Sequence, residues 1–240
     1  MTLRRQLLTS NQSVIDIVSD DPQTENHFAN PSNFADIVLN QINNDRFYDQ
    51  IFDGEENLTV IDIGGNIGLF TLYAQDRSKV IYSIEPTPDH FHILKELTKD
   101  YKNVIPLNIA VSNENRIIDF YINESNTTMN SLANKYGTKV EVEAKTLKSI
   151  INDLNLTHVD FIKCDIEGSE MIALTDDTVS EVKDLVDCWF IEVHATDVTT
   201  DSYQWAAALE KNRRTLADIF TRQGYEVQDY RHDGLFISRP

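Results

Sequence analysis

The pattern of apolar and polar positions changes at Leu58. From there, short apolar runs alternate with stretches of helical periodicity, which predicts an α/β fold with a parallel sheet and crossover helices. The predicted strands are Thr59–Asp62, Val80–Ile84, Val104–Leu107, Val159–Cys164, Cys188–Val193, Tyr225–Asp229 and Leu235–Ser238. The predicted helices are Gly68–Gln75, Pro88–Thr98, Thr146–Leu154, Ser169–Leu174 and Tyr203–Gln223.

The last two predicted strands are joined differently from the others. Tyr230 to Gly234 is too short for a crossover helix, and Asp233-Gly234 is typical of a hairpin turn. These two strands should therefore pair antiparallel. The pattern as a whole predicts a doubly wound, seven-stranded, mostly parallel sheet with a C-terminal antiparallel hairpin strand.

Two regions lie outside this regular alternation. Residues 1–57 are polar, with one predicted helix around Phe34 to Ile42, and we expect a small N-terminal helical extension or lid on a domain spanning 58–240.

Between Val111 and Lys145, Ile117–Ile122 and Lys139–Ala144 alternate in polarity and predict an extra hairpin around the polar loop Asn123–Asn130. Within this loop, Ser125 to Ser131 either borders the active site or is a plain surface loop.

Composition and charge restrict the class of protein. The chain has 240 residues, 21 basic against 39 acidic, with a net charge of −18. This charge repels a phosphate backbone, so we expect no duplex nucleic acid as partner. The chain shows neither the apolar run of a signal peptide nor that of a membrane span, and we expect a soluble, cytoplasmic protein. Cys164 and Cys188 fall in predicted strands and are expected to be buried thiols.

A glycine turn follows the first predicted strand, which ends at Asp62. The turn Gly64-Gly65-Asn66-Ile67-Gly68 leads into a helix, an arrangement typical of a nucleotide cradle. We expect Gly64 and Gly65 to permit positive φ and close approach of a ligand, Gly68 to let the helix pack on the strand, and Asp62 to hold an ammonium group or a water. The glycine spacing fits neither the dinucleotide pattern nor the P-loop. It suits a cofactor that carries an amino acid and no pyrophosphate.

Two further strand ends extend the predicted cofactor site. Glu85 follows Asp62 by 23 residues, close to the ~20-residue offset at which an acidic side chain meets ribose hydroxyls. Pro86 would turn the chain beside the adenine. Asn108, after the third strand, offers an amide donor and acceptor for the adenine edge.

The fourth and fifth strands end in groups suited to proton transfer. Asp165, Glu167 and Glu170 follow the fourth strand, while Glu192 and His194 lie on one face at the end of the fifth. Transfer of a group to a hydroxyl oxygen requires an aligned nucleophile and removal of its proton. We expect Asp165, Glu192 and His194 to be catalytic, with His194 as general base because its ordinary pKa lies near 6.5.

The same strand ends allow two other interpretations. Asp165, Glu192 and His194 could instead ligate a divalent metal ion, which we do not favour. Lys163 and Glu170 are expected either to pair with each other or to be solvated.

These motifs, in order over residues 58–194, resemble the FkbM family of methyltransferases. The resemblance rests on Val60–Gly68, Ile84-Glu85-Pro86, Asn108-Ile109-Ala110, Asp160–Glu170 and Ile191–His194. It implies the Rossmann-like methyltransferase fold, S-adenosylmethionine as donor, and usually a hydroxyl of a glycan, polyketide or other natural product as acceptor. It also marks Ala110 and Asp165 as cofactor-binding positions, and Asp165, Glu167, Glu170, Glu192 and His194 as motif positions.

The chain departs from the family pattern at two points. Gly65 stands where alanine is usual, a mild change, and Thr146-Leu147-Lys148 stands where Thr-Leu-Asp is common, so the role of that aspartate is in doubt. Residues 1–57 and the helix over 199–214 fall outside the resemblance and could set substrate choice.

The functional hypothesis is S-adenosylmethionine-dependent O-methylation of a hydroxyl on a small-molecule, glycan or carrier-bound natural-product substrate. A nucleic-acid methyltransferase is disfavoured by the charge and by the absence of Asn/Asp-Pro-Pro-Tyr or Pro-Cys at the fourth strand. A degenerate cofactor-binding domain that acts as an interaction module is disfavoured by the intact carboxylates. No motif encodes the acceptor or the oligomeric state.

Overall fold

The computed structural model describes residues 2–30, 35–44, 48, 52, 55–122, 138–196, 202–231 and 233–240. Its strands are β1 (Leu3–Leu8), β2 (Val14–Ser19), β3 (Leu58–Ile63), β4 (Ser78–Ile84), β5 (Val104–Leu107), β6 (Ala110–Val111), β7 (Arg116–Ile122), β8 (Thr138–Lys145), β9 (Val159–Cys164), β10 (Val186–Glu192), β11 (Glu226–Tyr230) and β12 (Gly234–Ser238). Its helices are α1 (Pro22–Ala29), α2 (Ala35–Asn43), α3 (Leu69–Ala74), α4 (Pro88–Thr98), α5 (Leu147–Asp153), α6 (Glu170–Ala173), α7 (Asp176–Ser180) and α8 (Ser202–Arg222).

The central sheet confirms the predicted fold class. Its strand order is β11-β12-β10-β9-β3-β4-β5. The pairs β3–β4, β4–β5 and β9–β10 are parallel, while β12 runs antiparallel to both β10 and β11. The predicted C-terminal hairpin is therefore present. Helix α7 was not predicted, because its five residues are held by a capping box between Thr175 and Thr178 and are too few to show a helical period.

The described residues form two compact units. The first comprises residues up to Asn108 and contains β3, β4 and β5 with helices α3 and α4. The second comprises residues from Ile109 onward and contains β9, β10, β11 and β12 with helices α5 to α8.

The N-terminal extension, defined here as residues 2–57, has more structure than the single helix predicted. Helix α2 confirms that prediction, although Phe34 lies outside the described residues. The extension also contains helix α1 and the antiparallel hairpin β1–β2. Few of the hairpin's residues are both apolar and buried, so its alternation is weak in the sequence.

The extension packs on the first unit's own helices. Ser10 N donates to Tyr73 O at 2.8 Å. The Tyr48 ring centroid lies 4.9 Å from that of Phe70, and the Phe52 centroid lies 6.0 Å from that of Tyr73. These buried aromatic contacts make the extension part of this unit's core.

The predicted extra hairpin is present in the second unit. Strand β7 pairs antiparallel with β8, and β6 pairs parallel on the other side of β8. The loop that joins β7 to β8, including Ser125 to Ser131, lies outside the described residues.

Across the described parts of the chain, no helix is long and apolar enough to traverse a lipid bilayer.

Candidate active site

The glycine turn, residues 64–68, uses its glycines for different reasons. Gly64 and Gly68 have φ values of 83° and 90°, which favour glycine. Gly65 does not have a positive φ. A Cβ at Gly65 would instead lie 2.2 Å from Ser83 Oγ, so the close approach is to the protein's own side chain. At Gly68, a Cβ would lie 2.7 Å from Leu94 Cδ1 of α4, and the expected role of Gly68 in packing the helix on the strand stays a prediction.

Asp62 braces the turn through two hydroxyl groups that sequence reasoning missed. It is fully buried at the end of β3, and its Oδ2 accepts hydrogen bonds from Thr71 Oγ1 at 2.6 Å and Ser83 Oγ at 3.3 Å. Thr71 Oγ1 also lies 2.8 Å from Ser83 Oγ. These contacts fix the end of β3 beneath the turn, and the role of Asp62 as a direct ligand stays a prediction.

Glu85 is held rigidly beside the glycine turn. Its Oε1 accepts from Thr87 N at 2.8 Å, and its Oε2 accepts from Asn66 N at 2.9 Å. Asn66 adopts a left-handed conformation with φ of 48°, which asparagine tolerates well. Burial raises the pKa of Glu85 to about 7, although the two backbone N–H groups oppose the shift. The structure thus brings two predicted cofactor-binding residues, Glu85 and Asn66, into contact.

The two predicted positions after β5 are used differently. Asn108 Nδ2 donates to Glu85 O at 2.8 Å and to Pro86 O at 3.1 Å, which fixes the chain after β4. Its contact with adenine stays a prediction. Ala110 is only 3% exposed and packs among Ile118, Phe120, Val142 and Ala144. Its side chain therefore belongs to this apolar cluster, and a contact between Ala110 and the cofactor stays a prediction.

In the second unit, four carboxylates surround one imidazole. We call Asp165, Glu167, Glu170, Glu192 and His194 the carboxylate cluster. His194 Nδ1 lies 3.1 Å from Glu170 Oε1. His194 Nε2 lies 3.6 Å from Glu167 Oε2, 3.8 Å from Asp165 Oδ1 and 4.0 Å from Glu192 Oε1. All three predicted catalytic residues are thus brought together, and the structure adds Glu167 and Glu170.

A tight turn after β9 aims these carboxylates. Glu167 has a φ of 54° and Gly168 a φ of 91°. A left-handed glutamate is uncommon and costs about 1–3 kcal/mol, a strain that is typical of functional sites. Glu170 is fully buried at the start of α6, where its Oε1 also accepts from Ile166 N at 2.9 Å.

Lys163 and Glu170 neither pair with each other nor face solvent. Lys163 is buried, and its Nζ lies 3.0 Å from Asp165 Oδ2. Glu170 contacts His194 instead. Lys163 therefore balances the charge of Asp165, whereas the imidazole ring of His194 balances the charge of Glu170.

Charge within the cluster raises the proton affinity of His194. Burial alone would lower the pKa of His194, but the carboxylates, Glu170 first, outweigh burial and raise it well above its ordinary value. The ring therefore binds its proton more tightly than a free imidazole does, which favours the protonated form. The role of His194 as general base stays a prediction, and the sequence does not show how many carboxylates converge on the ring.

The carboxylates themselves differ in proton affinity. Burial, followed by the charge of Asp165, raises the pKa of Glu192 to about 8. Burial likewise raises the pKa of Glu167 to about 8, against the opposing charge of His194. For Asp165, burial is outweighed by Lys163 and His194, which lower its pKa. Asp165 is thus ionised at neutral pH, whereas Glu167 and Glu192 can each gain or lose a proton near neutral pH.

Asn212 of α8 was missed by sequence reasoning. It is buried, and its Nδ2 donates to His194 O at 2.8 Å, which fixes the backbone that follows β10. Asn212 shares the buried face of α8 with Leu209 and Leu216. A polar residue at an apolar-face position was the signal that could have identified it.

Part of the cluster has the geometry of a metal site. Ligand atoms of Asp165, Glu167 and His194 lie within 4.8 Å of one another. The set differs from the predicted one in having Glu167 in place of Glu192. Oxygen and imidazole ligands of this kind suit a divalent ion, and the metal interpretation stays one that we do not favour.

A comparison with known families decides the class of protein. The family model described as the Methyltransferase FkbM domain matches residues 62–227, more than half of the chain. The chain belongs to the FkbM methyltransferase family. The match runs from Asp62 through β10 and into β11, and so includes the glycine turn and the carboxylate cluster. Family membership confirms the predicted methyltransferase class.

Individual relatives of this FkbM-family chain are distant. It is 25% identical to Methyltransferase 1 of Beauveria bassiana over 197 residues, which cover 69% of this chain and 77% of the relative. Among solved structures, methyltransferase FkbM from Methylobacillus flagellatus matches with 16% identity and a TM-score of 0.48 over 76% of this chain, and the chain spans 43% of that protein. A SAM-dependent methyltransferase from Aquifex aeolicus matches with 14% identity and a TM-score of 0.48, covering 91% of this chain and 97% of that one.

Proposed function

We propose that this FkbM-family methyltransferase transfers the methyl group of S-adenosylmethionine to a hydroxyl group of a small molecule, glycan or natural-product intermediate. The carboxylate cluster is the observation that carries the proposal. A hydroxyl is a weak nucleophile and must lose its proton as it attacks the methyl carbon. Glutamates with a pKa of about 8 are well matched to that proton transfer near neutral pH.

Within the cluster, Glu192 is proposed as the proton acceptor. Its pKa of about 8 means that its ionised form binds a proton more strongly than an ordinary carboxylate does. His194, as an imidazolium held by Glu170, stabilises the negative charge that develops on the attacking oxygen. Lys163 keeps Asp165 ionised. Asp165 is proposed to take part in both cofactor binding and catalysis.

The proposed transfer is balanced in atoms and electrons. The cofactor would supply the methyl group, its carbon–sulfur bond breaking as the acceptor oxygen bonds to the methyl carbon, and it would leave as a neutral thioether. Glu192 would take up the hydroxyl proton. Alignment of the oxygen with the carbon–sulfur bond is the chief contribution that a protein makes to such an in-line displacement.

The first unit supplies the proposed cofactor contacts. Glu85, oriented by Asn66 and Thr87, would accept hydrogen bonds from the ribose hydroxyls. The backbone of the glycine turn would lie against the cofactor at Gly64 and Gly65, with Pro86 and Asn108 beside the adenine.

The test is transfer of a labelled methyl group to a panel of acceptors. Simple glycosides, phenols and polyols should be compared with matched compounds in which an amine replaces the hydroxyl. We expect label only in hydroxyl-bearing compounds, with mass spectrometry locating it on oxygen, and little label with the Glu192→Gln variant. Methylation of the amines alone would contradict O-methyl transfer. Calorimetric titration with S-adenosylmethionine, S-adenosylhomocysteine and NAD supplies the cofactor control, since NAD should not bind.

A further inference from the structure

Two buried histidines form a row with Glu85: His90 of α4 lies next to Glu85, and His27 of the N-terminal extension lies next to His90. His90 of α4 is 3% exposed, and its Nδ1 lies 4.0 Å from Glu85 Oε1. The ring of His27, on α1, meets the His90 ring edge-on at a centroid distance of 5.3 Å and an angle of 88°. A continuous row of side chains therefore leads from the extension to the carboxylate expected to hold the ribose.

His90 occupies its position at a cost to stability. Its Nε2 is buried and has no hydrogen-bond partner among the residues that the structure describes. An unsatisfied buried nitrogen costs about 1–3 kcal/mol, which leucine or phenylalanine in the same space would avoid. A buried polar group retained in this way calls for a functional explanation.

The charge state of the two rings fits a role beside a carboxylate. Burial, followed by the proximity of His27, lowers the pKa of His90 to about 3, and burial lowers the pKa of His27 to about 4. Both rings are therefore neutral at neutral pH. The charge of Asp62, on β3, also raises the pKa of Glu85 and so disfavours the ionised form of Glu85. A neutral ring can turn an N–H toward Glu85 and partly offset that repulsion without adding a charge of its own.

We propose that His90, braced by His27, is a positioning residue that orients Glu85 and stabilises its ionised form when the ribose is bound, so that the N-terminal extension helps to set the affinity for S-adenosylmethionine. This inference rests on the proposed role of Glu85 as the ribose ligand. Ionised Glu85 accepts hydrogen bonds from both ribose hydroxyls, whereas the protonated acid must give up one acceptor position. Affinity should therefore rise with pH as Glu85 loses its proton.

The experiment is calorimetric titration of the full chain with S-adenosylhomocysteine at pH 6, 7 and 8. For His90→Phe, which keeps the ring and removes both nitrogens, we expect affinity at pH 7 to fall by up to about tenfold, because the ring dipole that lies 4.0 Å from Glu85 Oε1 is lost. The pH at which affinity reaches half of its plateau should move upward, because ionised Glu85 loses its N–H neighbour. In turnover, the loss should fall on KM for S-adenosylmethionine more than on kcat, and His90→Asn should restore part of the affinity.

Variants of the extension separate bracing from general packing. His27→Phe keeps an aromatic ring against His90 and should bind nearly as the wild type does, whereas His27→Ala should weaken binding. The matched control is His92→Gln. His92 is exposed on the same helix, and its Nε2 contacts Asp21 Oδ1 of the extension at 3.2 Å. The control removes another contact between the extension and α4 without touching Glu85, and it should leave affinity unchanged.

Glu85→Gln distinguishes failure of the inference from failure of the underlying ribose assignment. If Glu85→Gln binds with wild-type affinity, the ribose assignment is wrong. If Glu85→Gln binds weakly while folded His90→Phe retains wild-type affinity and pH midpoint, the role of His90 is refuted and that of Glu85 stands. Should His90→Phe not fold, the His90 ring signals of the wild type, followed by NMR during addition of S-adenosylhomocysteine, decide the matter. A shift supports the proposal, and unchanged signals overturn it.

Discussion

At the scale of single residues, the reactivity of the site depends on how many carboxylates share a few protons. The pKa of His194 is raised because the carboxylates around it, Glu170 first, outweigh its burial. Glu192 has a raised pKa because it is buried close to Asp165. Neighbouring charges and burial therefore set the pKa of each group, and with it which group is suited to accept the substrate proton.

This distribution of protons predicts a pH dependence of turnover. Glu192 must be ionised to accept a proton and has a pKa of about 8, so kcat should rise as pH increases toward 8 and level off above it. Glu192→Gln should lower kcat by about 100-fold or more, with cofactor affinity retained. Steady-state kinetics between pH 6 and 9 with a labelled cofactor would measure both effects. A kcat that falls with increasing pH over this range, or an active Glu192→Gln variant, would rule out Glu192 as the base.

A second residue-scale prediction concerns Gly65. In Gly65→Ala, the new Cβ would displace Ser83 Oγ from its hydrogen bonds with Asp62 and Thr71, because the two atoms would be 2.2 Å apart. We expect a loss of about 1–3 kcal/mol in the free energy of unfolding.

The matched variant for this test is Gly65→Ala/Ser83→Ala. Removing the Ser83 hydroxyl leaves Ser83 Cβ 3.5 Å from the new methyl group, an ordinary contact. The double variant should therefore lose less stability than the sum of Gly65→Ala and Ser83→Ala measured alone. Strictly additive losses in chemical denaturation would show that the two positions are not coupled.

Sequence alone could predict which residue types stand at the strand ends, but not their charge states. Asp165, Glu192 and His194 were predicted from their positions after predicted strands, and the structure brings them together. The raised pKa of His194 could not be predicted, because it depends on burial and on Glu170 approaching from α6. His90 and Asn212 were missed because each lies within a helix, away from any motif.

At the scale of elements, regular strands and helices were the easiest to predict. Strands β5 and β9 and helix α4 match their predicted bounds, because each has a complete period and a clear end. The hairpin β1–β2 was missed because its burial depends on the rest of the first unit. Leu7 is fully buried, whereas Val14 and Val18 of the partner strand are exposed, so hydrophobicity does not alternate cleanly.

The packing of the N-terminal extension predicts that one substitution within it strongly lowers the stability of the protein. Phe52 is 1% exposed and lies against Phe70 and Tyr73 of α3. Phe52→Ala should lower the free energy of unfolding by about 3–5 kcal/mol, the usual result of emptying a buried aromatic site. Ile117→Ala is the control, since Ile117 is 62% exposed and should change stability by at most about 0.5 kcal/mol. Thermal or chemical denaturation would compare them, and similar losses from both would mean that the extension contributes little to the core.

At the scale of the whole molecule, the net charge of −18 opposes association with other polyanions. We expect no binding of a labelled 30-base-pair DNA duplex in fluorescence anisotropy at physiological salt and about 10 μM protein, a range in which ordinary non-specific DNA binders associate. A charge-matched test with a positively charged polymer should show association that weakens as salt is added. Saturable binding of the duplex would contradict the expectation drawn from charge.

The position of β12 in the sheet affects how the second unit folds during synthesis. β12 lies between β10 and β11, although it follows both along the chain, and Glu192 pairs with the distant Gly234. During synthesis, one edge of β10 therefore stays uncovered until β12 has emerged, after α8 and β11. Non-local pairing of this kind slows folding, and an open strand edge invites association between chains. The strand that carries the proposed proton acceptor thus has an uncovered edge while the protein is being made.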